Sequence, residues 1–299
     1  MTPAQRKPAR AETREVLAPG EFALHRDDFA RISSMIYDDA GIYLTESKAA
    51  LVYARLAKRL RALQLEAFRD YCDLVESPAG ERERQEMLAA LTTNVTRFYR
   101  EPHHFEHLKT RVLPPLLREA QRGARIRIWS AACSSGQEPY SAALTLLSVW
   151  PEAASHDAKI LATDIDPHIL EAGAKGVYSE AQIEPVPLEE RRRYFETISI
   201  DGKPHWRVGQ AVRSLVSFRP LNLIESWPSF GPFDAIFCRN VVIYFDEPTQ
   251  QRIWSNFAPR LARHGALYIG HSERVTGPAA QILMGDGIST YRHKGANSR

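Results

Sequence analysis

RIRIWSAACSSGQEPY, residues 125–140, decides the fold. A short apolar strand runs into a turn of Cys133, Ser134, Ser135 and Gly136, and a helix then opens at Glu138-Pro139. Small residues let the backbone of such a turn approach a ligand closely, and the first N–H groups of a helix are free to bind it. Downstream, Lys159-Ile-Leu-Ala-Thr-Asp164 reads as a second strand ending in an acid, 28 residues beyond Gly136. That gap holds one helix and a crossover. The result is one βαβ unit with a carboxylate at the tip of its second strand, the arrangement that holds a ribose diol.

From this unit the alternation spreads in both directions. Strands are predicted at Ile126–Ala131, Lys159–Thr163, Val216–Pro220, Ala235–Arg239 and Ala266–Gly270, with helical segments between several of them. This pattern implies a mostly parallel sheet covered by helices on both faces. Residues 176–215 interrupt it. They hold a charged helix at Leu188–Phe195 and a hairpin over Ile198–Val208 that turns at Asp201-Gly202, read as a small β-subdomain insert. Upstream, residues 20–93 are helical in period: Phe29, Ile32 and Ile36 share a face, as do Val52, Leu56, Leu60 and Leu63, then Phe68, Tyr71 and Val75, then Met87, Leu88 and Leu91. A bundle of about four helices is expected there. Residues 1–19 carry four basic residues and three prolines without apolar period, and are expected to be a disordered tail.

Composition narrows the class. At 299 residues, 44% hydrophobic and 25% charged, the chain has the make-up of a globular protein of one large or two smaller domains. No apolar run approaches the roughly 18 residues of a membrane span, and no signal-type segment opens the chain, so a cytoplasmic protein without membrane insertion is expected. Cys72, Cys133 and Cys238 are few, odd in number and widely spaced, which argues against disulfides and a metal site. A formal charge of +3 gives no footprint for nucleic acid.

Four further segments could carry chemistry. Asp166 precedes Pro167 and is explained as a helix cap, which leaves Asp164 as the candidate for a ribose. Glu138 can cap its helix or face a pocket. Asn94, Thr96 and Arg100, in TTNVTRFYRE, bring polar donors to the junction of the helical and mixed halves; an N-cap with a solvated Arg explains them equally. Arg239-Asn240 follow an apolar strand at the edge where open α/β sheets bind ligands, with Tyr244 close behind, placed for the site or for the core. The histidines 103, 104 and 271 are scattered and read as packed or solvated. Lys48, Arg55, Lys58, Arg59 and Arg61 lie on one helix with no acid between Ser47 and Leu65; a solvated polar face explains such a run, but five unbalanced cations point to an acidic partner surface.

The strings TTNVTRFYRE, WSAACSSGQEPYS, ATDIDPHILEAGAKGVY, RYF, FRPLNL, FDAIFCRNVVIYFD and GALYIGHSE occur in this order between about residues 21 and 291. Together they resemble the chemotaxis receptor glutamate O-methyltransferase family, CheR. The resemblance implies an α/β, Rossmann-like S-adenosylmethionine-dependent methyltransferase domain over 94–299, carrying a small antiparallel β-subdomain insert and preceded by an all-α helical domain over 20–93. It implies cofactor contacts at Asn94, Thr96, Arg100, Glu138, Asp164, Asn222, Leu223, Arg239 and Asn240, and catalytic roles for Arg100 and Tyr244. The cofactor would be S-adenosylmethionine, the product S-adenosylhomocysteine, and the partner the cytoplasmic helical region of methyl-accepting chemotaxis receptors, met by a monomer. Lys48, Arg55, Lys58 and Arg59 would face that partner. Gln137 stands where many relatives have Glu. The alternative reading is a non-catalytic S-adenosylmethionine-binding module of a chemosensory pathway; a nicotinamide-dependent oxidoreductase lacks its G-x-G-x-x-G here.

Overall fold

The computed structural model describes residues 14–120 and 122–295. The chain divides into two compact units. The first holds the residues up to Asp39 with Tyr43–Leu91; the second holds Ala40–Ile42 and the chain from Thr92 onward.

In the first unit, strands β1 (Val16–Ala18) and β2 (Leu24–His25) pair antiparallel beside four helices: α1 (Arg26–Ala40), α2 (Ala49–Leu63), α3 (Phe68–Glu76) and α4 (Glu81–Leu91). The apolar faces read from the sequence are inside: Ile32, Ile36, Val52, Leu56, Leu60, Phe68, Tyr71 and Met87 are all fully buried. The expected disordered tail is corrected here. Residues 1–13 lie outside the described residues, but Val16–Ala18 form β1, with Ala18 buried. Arg14 donates to Asp28 at 2.7 Å, and Asp28 is only 1% exposed. A carboxylate so deeply buried needs a compensating partner, and the incoming chain supplies it.

The cations of α2 are not unbalanced within their own unit. Arg59 donates to both oxygens of Glu83, at 2.9 and 2.5 Å, and lies 3.5 Å from Glu86. Arg55 donates to the Leu91 carbonyl at 2.7 Å, where α4 ends with unsatisfied acceptors. Arg61 pairs with Glu21. The acids absent from α2 itself come from α4 and the chain before α1. Lys48 and Lys58 remain exposed.

The second unit is built on seven strands: β3 (Ile126–Ala131), β4 (Ala158–Asp164), β8 (Val216–Pro220), β9 (Phe233–Cys238), β10 (Leu261–Ile269), β11 (Leu283–Gly287) and β12 (Thr290–His293). Their spatial order is β11-β12-β10-β9-β3-β4-β8. The five strands read from the sequence pair in parallel; β12 joins β10 antiparallel, and β11 joins β12 antiparallel. The remaining strands, β5 (Val177–Ser179), β6 (Phe195–Ile200) and β7 (Lys203–Val208), form the separate three-stranded antiparallel sheet of the insert. Helices α5 (Pro102–His107), α6 (Leu113–Ala120), α7 (Gln137–Val149), α8 (Pro167–Lys175), α9 (Glu180–Ile183), α10 (Leu188–Tyr194), α11 (Gln210–Arg213), α12 (Glu247–Phe257) and α13 (Ala279–Ile282) complete it.

Alternation along the central strands makes two cores. Ile126, Ile128, Ala235 and Phe237 join one with Phe105, Tyr140 and Leu144; Trp129, Ala131, Ile236 and Cys238 join the other with Trp254 and Phe257. Strands buried on both faces read as unbroken apolar runs, which is why β3 and β9 were plain in the sequence. The chain runs outward from β3 through β4 to β8, then returns to β9 on the other side of β3. The strand order therefore reverses between β3 and β9, and open α/β sheets bind ligands at the carboxyl edge of such a point. No helix among the described residues is long and apolar enough to cross a membrane.

Candidate active site

The carboxyl edge at this reversal gathers three loops. After β3, Ala132 (φ 56) and Ser134 (φ 50) both take left-handed backbone, and Gly136 (φ 92) begins α7. A Cβ on Gly136 would come within 3.0 Å of the Tyr178 hydroxyl and 3.2 Å of Gly173, so only glycine fits without displacement. Tyr178, from β5 of the insert, donates to the Ser135 carbonyl at 2.7 Å. Before α5, Tyr99 (φ 51) and Glu101 (φ 56) are left-handed too, and after β9 so is Asn240 (φ 58). Five of the eight described non-glycine residues with positive φ stand in these loops. Backbone held in a costly conformation by its surroundings is characteristic of ligand sites.

Asp164 ends β4, 6% exposed. Its Oδ2 accepts from the Ser134 amide at 2.9 Å and its Oδ1 from the Asp166 amide at 3.1 Å. It therefore has a structural task that its sequence position did not reveal: it holds the turn after β3. Burial raises its carboxyl pKa, and the Asp166 and Ser134 amides draw it back. A carboxylate has about four lone-pair sites, so two remain for a diol. Asp166 caps α8 as its sequence implied, accepting from His168 and Ile169, and it also accepts from the Asn94 side chain at 3.1 Å. Ser134 donates to the Asn94 carbonyl at 3.1 Å. Asn94 is thus joined to both loops of the βαβ unit.

Arg239 continues the alternation of Ala235 and Phe237, which turns its side chain into the Phe105 side of the sheet, 5.7 Å above that ring. It is 2% exposed. One terminal nitrogen donates to Glu138 Oε2 at 3.2 Å; the other donates to the Arg100 carbonyl and lies 3.4 Å from Glu101. Glu138 also accepts from Ser130 at 2.7 Å. Burial raises the Glu138 carboxyl, with Arg239 and Ser130 opposing. The Glu138 side chain is thereby held between Ser130 and Arg239. Arg100 turns its guanidinium to the Val95 carbonyl, at 3.0 Å, and Thr96 is half-buried in the same loop.

Glu273 organises the third loop. Its carboxylate accepts four backbone amides: Gly270 at 2.6 Å, Asn240 at 3.0 Å, and Val241 and Val242 at 2.9 Å each. This fixes Asn240 and the following turn Val242–Tyr244, in which Tyr244 is half-buried. Asn222 and Leu223 lie beyond β8. Asn222 accepts from the Ile224 amide and donates to Glu225, Leu223 is buried in the Trp129 core, and the Leu221 amide donates to the Asp164 carbonyl at 3.0 Å. The named site residues thus gather around the ends of β3, β4 and β9, with Asn222 and Leu223 flanking at β8.

Glu101, Tyr178 and Glu273 escaped the sequence reading. Only Glu273 left a signal, an acid just after the apolar run Leu267–Ile269 at the ligand edge. A cavity of about 620 Å³ opens at the opposite, amino-terminal edge, lined by Arg125, Arg127, Lys159 and Arg213 among others. Three of those cations have protein partners: Asp157, the Ser214 carbonyl and Gln210.

The carboxyl edge suits S-adenosylmethionine. Glu101 and Glu138 meet the Arg239 guanidinium from two sides, each with its side chain 12% exposed. Asp164 places a further carboxylate at the strand tip, where a ribose offers it hydroxyls.

The comparisons agree. A family model described as "CheR methyltransferase, all-alpha domain" matches residues 27–92, and one described as "CheR methyltransferase, SAM binding domain" matches residues 94–285. A probable chemotaxis protein methyltransferase of Rhizobium etli is 56% identical over 259 residues, 87% of this chain and 97% of that protein. Chemotaxis protein methyltransferase 2 of Pseudomonas aeruginosa is 43% identical over 91% of this chain and 94% of its own length. The chemotaxis protein methyltransferase of Escherichia coli is 42% identical over 85% and 86%. With both models matched in order and relatives aligned over nearly their whole lengths, this chain belongs to the CheR methyltransferase family and carries that family's S-adenosylmethionine-binding domain.

Proposed function

We propose that the chain methylates glutamate γ-carboxylates in the cytoplasmic helical region of methyl-accepting chemotaxis receptors, leaving glutamyl methyl esters. The observation that carries this reading is the 56% identity to a probable chemotaxis protein methyltransferase over 97% of that relative. Bound at the carboxyl edge, S-adenosylmethionine supplies a methyl group made electrophilic by its sulfonium.

A glutamate is already ionised at neutral pH, its ordinary pKa being about 4.3, so the residues here need to remove no proton. Their work is alignment and exclusion of water, and alignment alone can be worth about 7–11 kcal/mol. Asp164 takes the ribose hydroxyls, while Asn94, Thr96, Glu138, Asn222, Leu223, Arg239 and Asn240 line the rest of the cofactor site. Arg100 orients an acidic group, either the cofactor's own carboxylate or the substrate's. Tyr244 hydrogen-bonds the receptor carboxylate. Lys48, just before α2, and Arg55, Lys58 and Arg59 on α2 would meet an acidic receptor helix, with Arg55 and Arg59 also bonded inside their own unit.

Labelled methyl transfer to a receptor cytoplasmic fragment tests the proposal. The expected label is released by mild base, as an ester requires, and is lost when the acceptor glutamates of the fragment are changed to Gln. Base-stable label, or no transfer, contradicts it.

A further inference from the structure

Glu101 has no part in the function set out above, yet it is one of the most constrained residues of the site. It stands at φ 56 directly after Arg100, conformationally costly for a side chain with a Cβ. Its carboxylate is 12% exposed. Oε2 lies 3.4 Å from Arg239 and 3.5 Å from His104 Nδ1, and Oε1 lies 3.3 Å from His271 Nδ1. The Ile288 carbonyl, 3.2 Å from His104 Nε2, can only accept, so the ring proton sits on Nε2 and Nδ1 is bare. Glu101, His103 and His104 bring three such acceptor atoms within 4.8 Å of one another, as a metal site would. Of the three, Glu101 meets the Arg239 guanidinium, as one arm of a clamp on it.

The clamp has a direction. Arg239 binds the Arg100 carbonyl and the Glu101 carboxylate together. The backbone of residues 99–101 therefore folds around one guanidinium, and the two left-handed residues, Tyr99 and Glu101, flank the one that points Arg100. On its far side the same guanidinium holds Glu138 at the start of α7.

We propose that Glu101 is a positioning residue for the methyl transfer, acting through Arg239 to fix the backbone from which Arg100 reaches its acidic group; this inference rests on the function proposed above. Neutralising Glu101 leaves Arg239 to Glu138 and the Arg100 carbonyl, and the 99–101 turn loses its charged anchor while the Tyr99 amide keeps its bond to Ser141. Arg100 then samples orientations that do not serve the reaction, while Asp164, Asn240 and the β3 turn keep theirs.

Glu101→Gln, Arg100→Ala and the double variant test this beside the wild type. The measurements are methyl transfer to a receptor cytoplasmic fragment at saturating S-adenosylmethionine, cofactor affinity by calorimetry, and melting temperature. Glu101→Gln is expected to slow transfer at saturating cofactor about tenfold or more while the melting temperature is kept, and the double variant is expected to be no slower than Arg100→Ala, because groups acting as a unit are not additive. Turnover of Glu101→Gln within about twofold of wild type, or losses that multiply in the double variant, overturns the proposal. A parallel fall of turnover, affinity and melting temperature assigns Glu101 to the fold and overturns it too. A wild type that transfers no methyl overturns the function and the positioning role together; a wild type that transfers beside an equally fast Glu101→Gln overturns the positioning role alone.

Discussion

At the scale of residues, what was legible was local. Asp166 caps α8 because Asp-Pro can hardly do otherwise, and the sequence shows that directly. Arg239 was visible as a charged residue ending an apolar strand, but its partners Glu101 and Glu138 lie 138 and 101 residues away, so its burial among carboxylates was not. Asp164 shows the same limit: its amide partner Ser134 is 30 residues upstream, and its structural task appears only once β3 and β4 pair. His104 was set aside as packed, and it is fully buried. Burial foremost, then Arg239 and His103, pushes its pKa down to about 3 against the ordinary 6.5. A folded-state pKa below the unfolded value means stability that is complete above pH 6.5 and is lost as pH falls from there toward 3. Wild-type stability is therefore expected to drop by about 2 kcal/mol between pH 6.5 and 5 on account of this ring. Urea titrations of wild type and His104→Gln at several pH values check it. A flatter dependence in the variant is the expected outcome, and parallel curves would remove His104 from the explanation.

At the scale of elements, the four apolar helix faces could be read because each buries a periodic face, and the strand–turn–helix of residues 126–149 because an apolar run meets a turn of small residues. Strands β11 and β12 could not. They are five and four residues long, β11 carries two glycines, and both owe their place to pairing that starts on β10 more than twenty residues away. The balance of charge on α2 was hidden for the converse reason: its acids stand on other elements. Arg59→Ala leaves Glu83, 8% exposed and also bonded to Tyr71, without its cation. Losing a charged hydrogen-bond partner at such a site is expected to cost about 2 kcal/mol in denaturant unfolding. An unchanged midpoint would restore Arg59 to a solvated face. The loop after β10 makes a second case. A Cβ on Gly270 would lie 2.6 Å from Asn240 Nδ2 and 2.8 Å from the Asn240 amide. Gly270→Ala must move Asn240, so cofactor affinity is expected to fall about tenfold with the secondary structure kept, since displacement of a positioned group by a fraction of an ångström weakens a built site. Calorimetry and circular dichroism together decide it, and full affinity would remove Asn240 from the cofactor contacts.

At the scale of the whole molecule, the division into a helical unit and a mixed unit was written in the change of apolar period, and the ligand edge followed from strand order alone. The three cysteines, Cys72, Cys133 and Cys238, are all buried. The left-handed loops, the four-amide cradle of Glu273 and the meeting of Glu101 and Glu138 on Arg239 were not legible, because each is made by segments that only the folded sheet brings side by side. The reversal between β3 and β9 is the physical core of the account, since it sets the edge at which the cofactor binds. The most direct test is a calorimetric titration of the wild-type chain with S-adenosylmethionine. Saturable binding at one site per chain, with a rise in melting temperature as the site fills, is predicted. No heat and no thermal shift up to millimolar cofactor would contradict it.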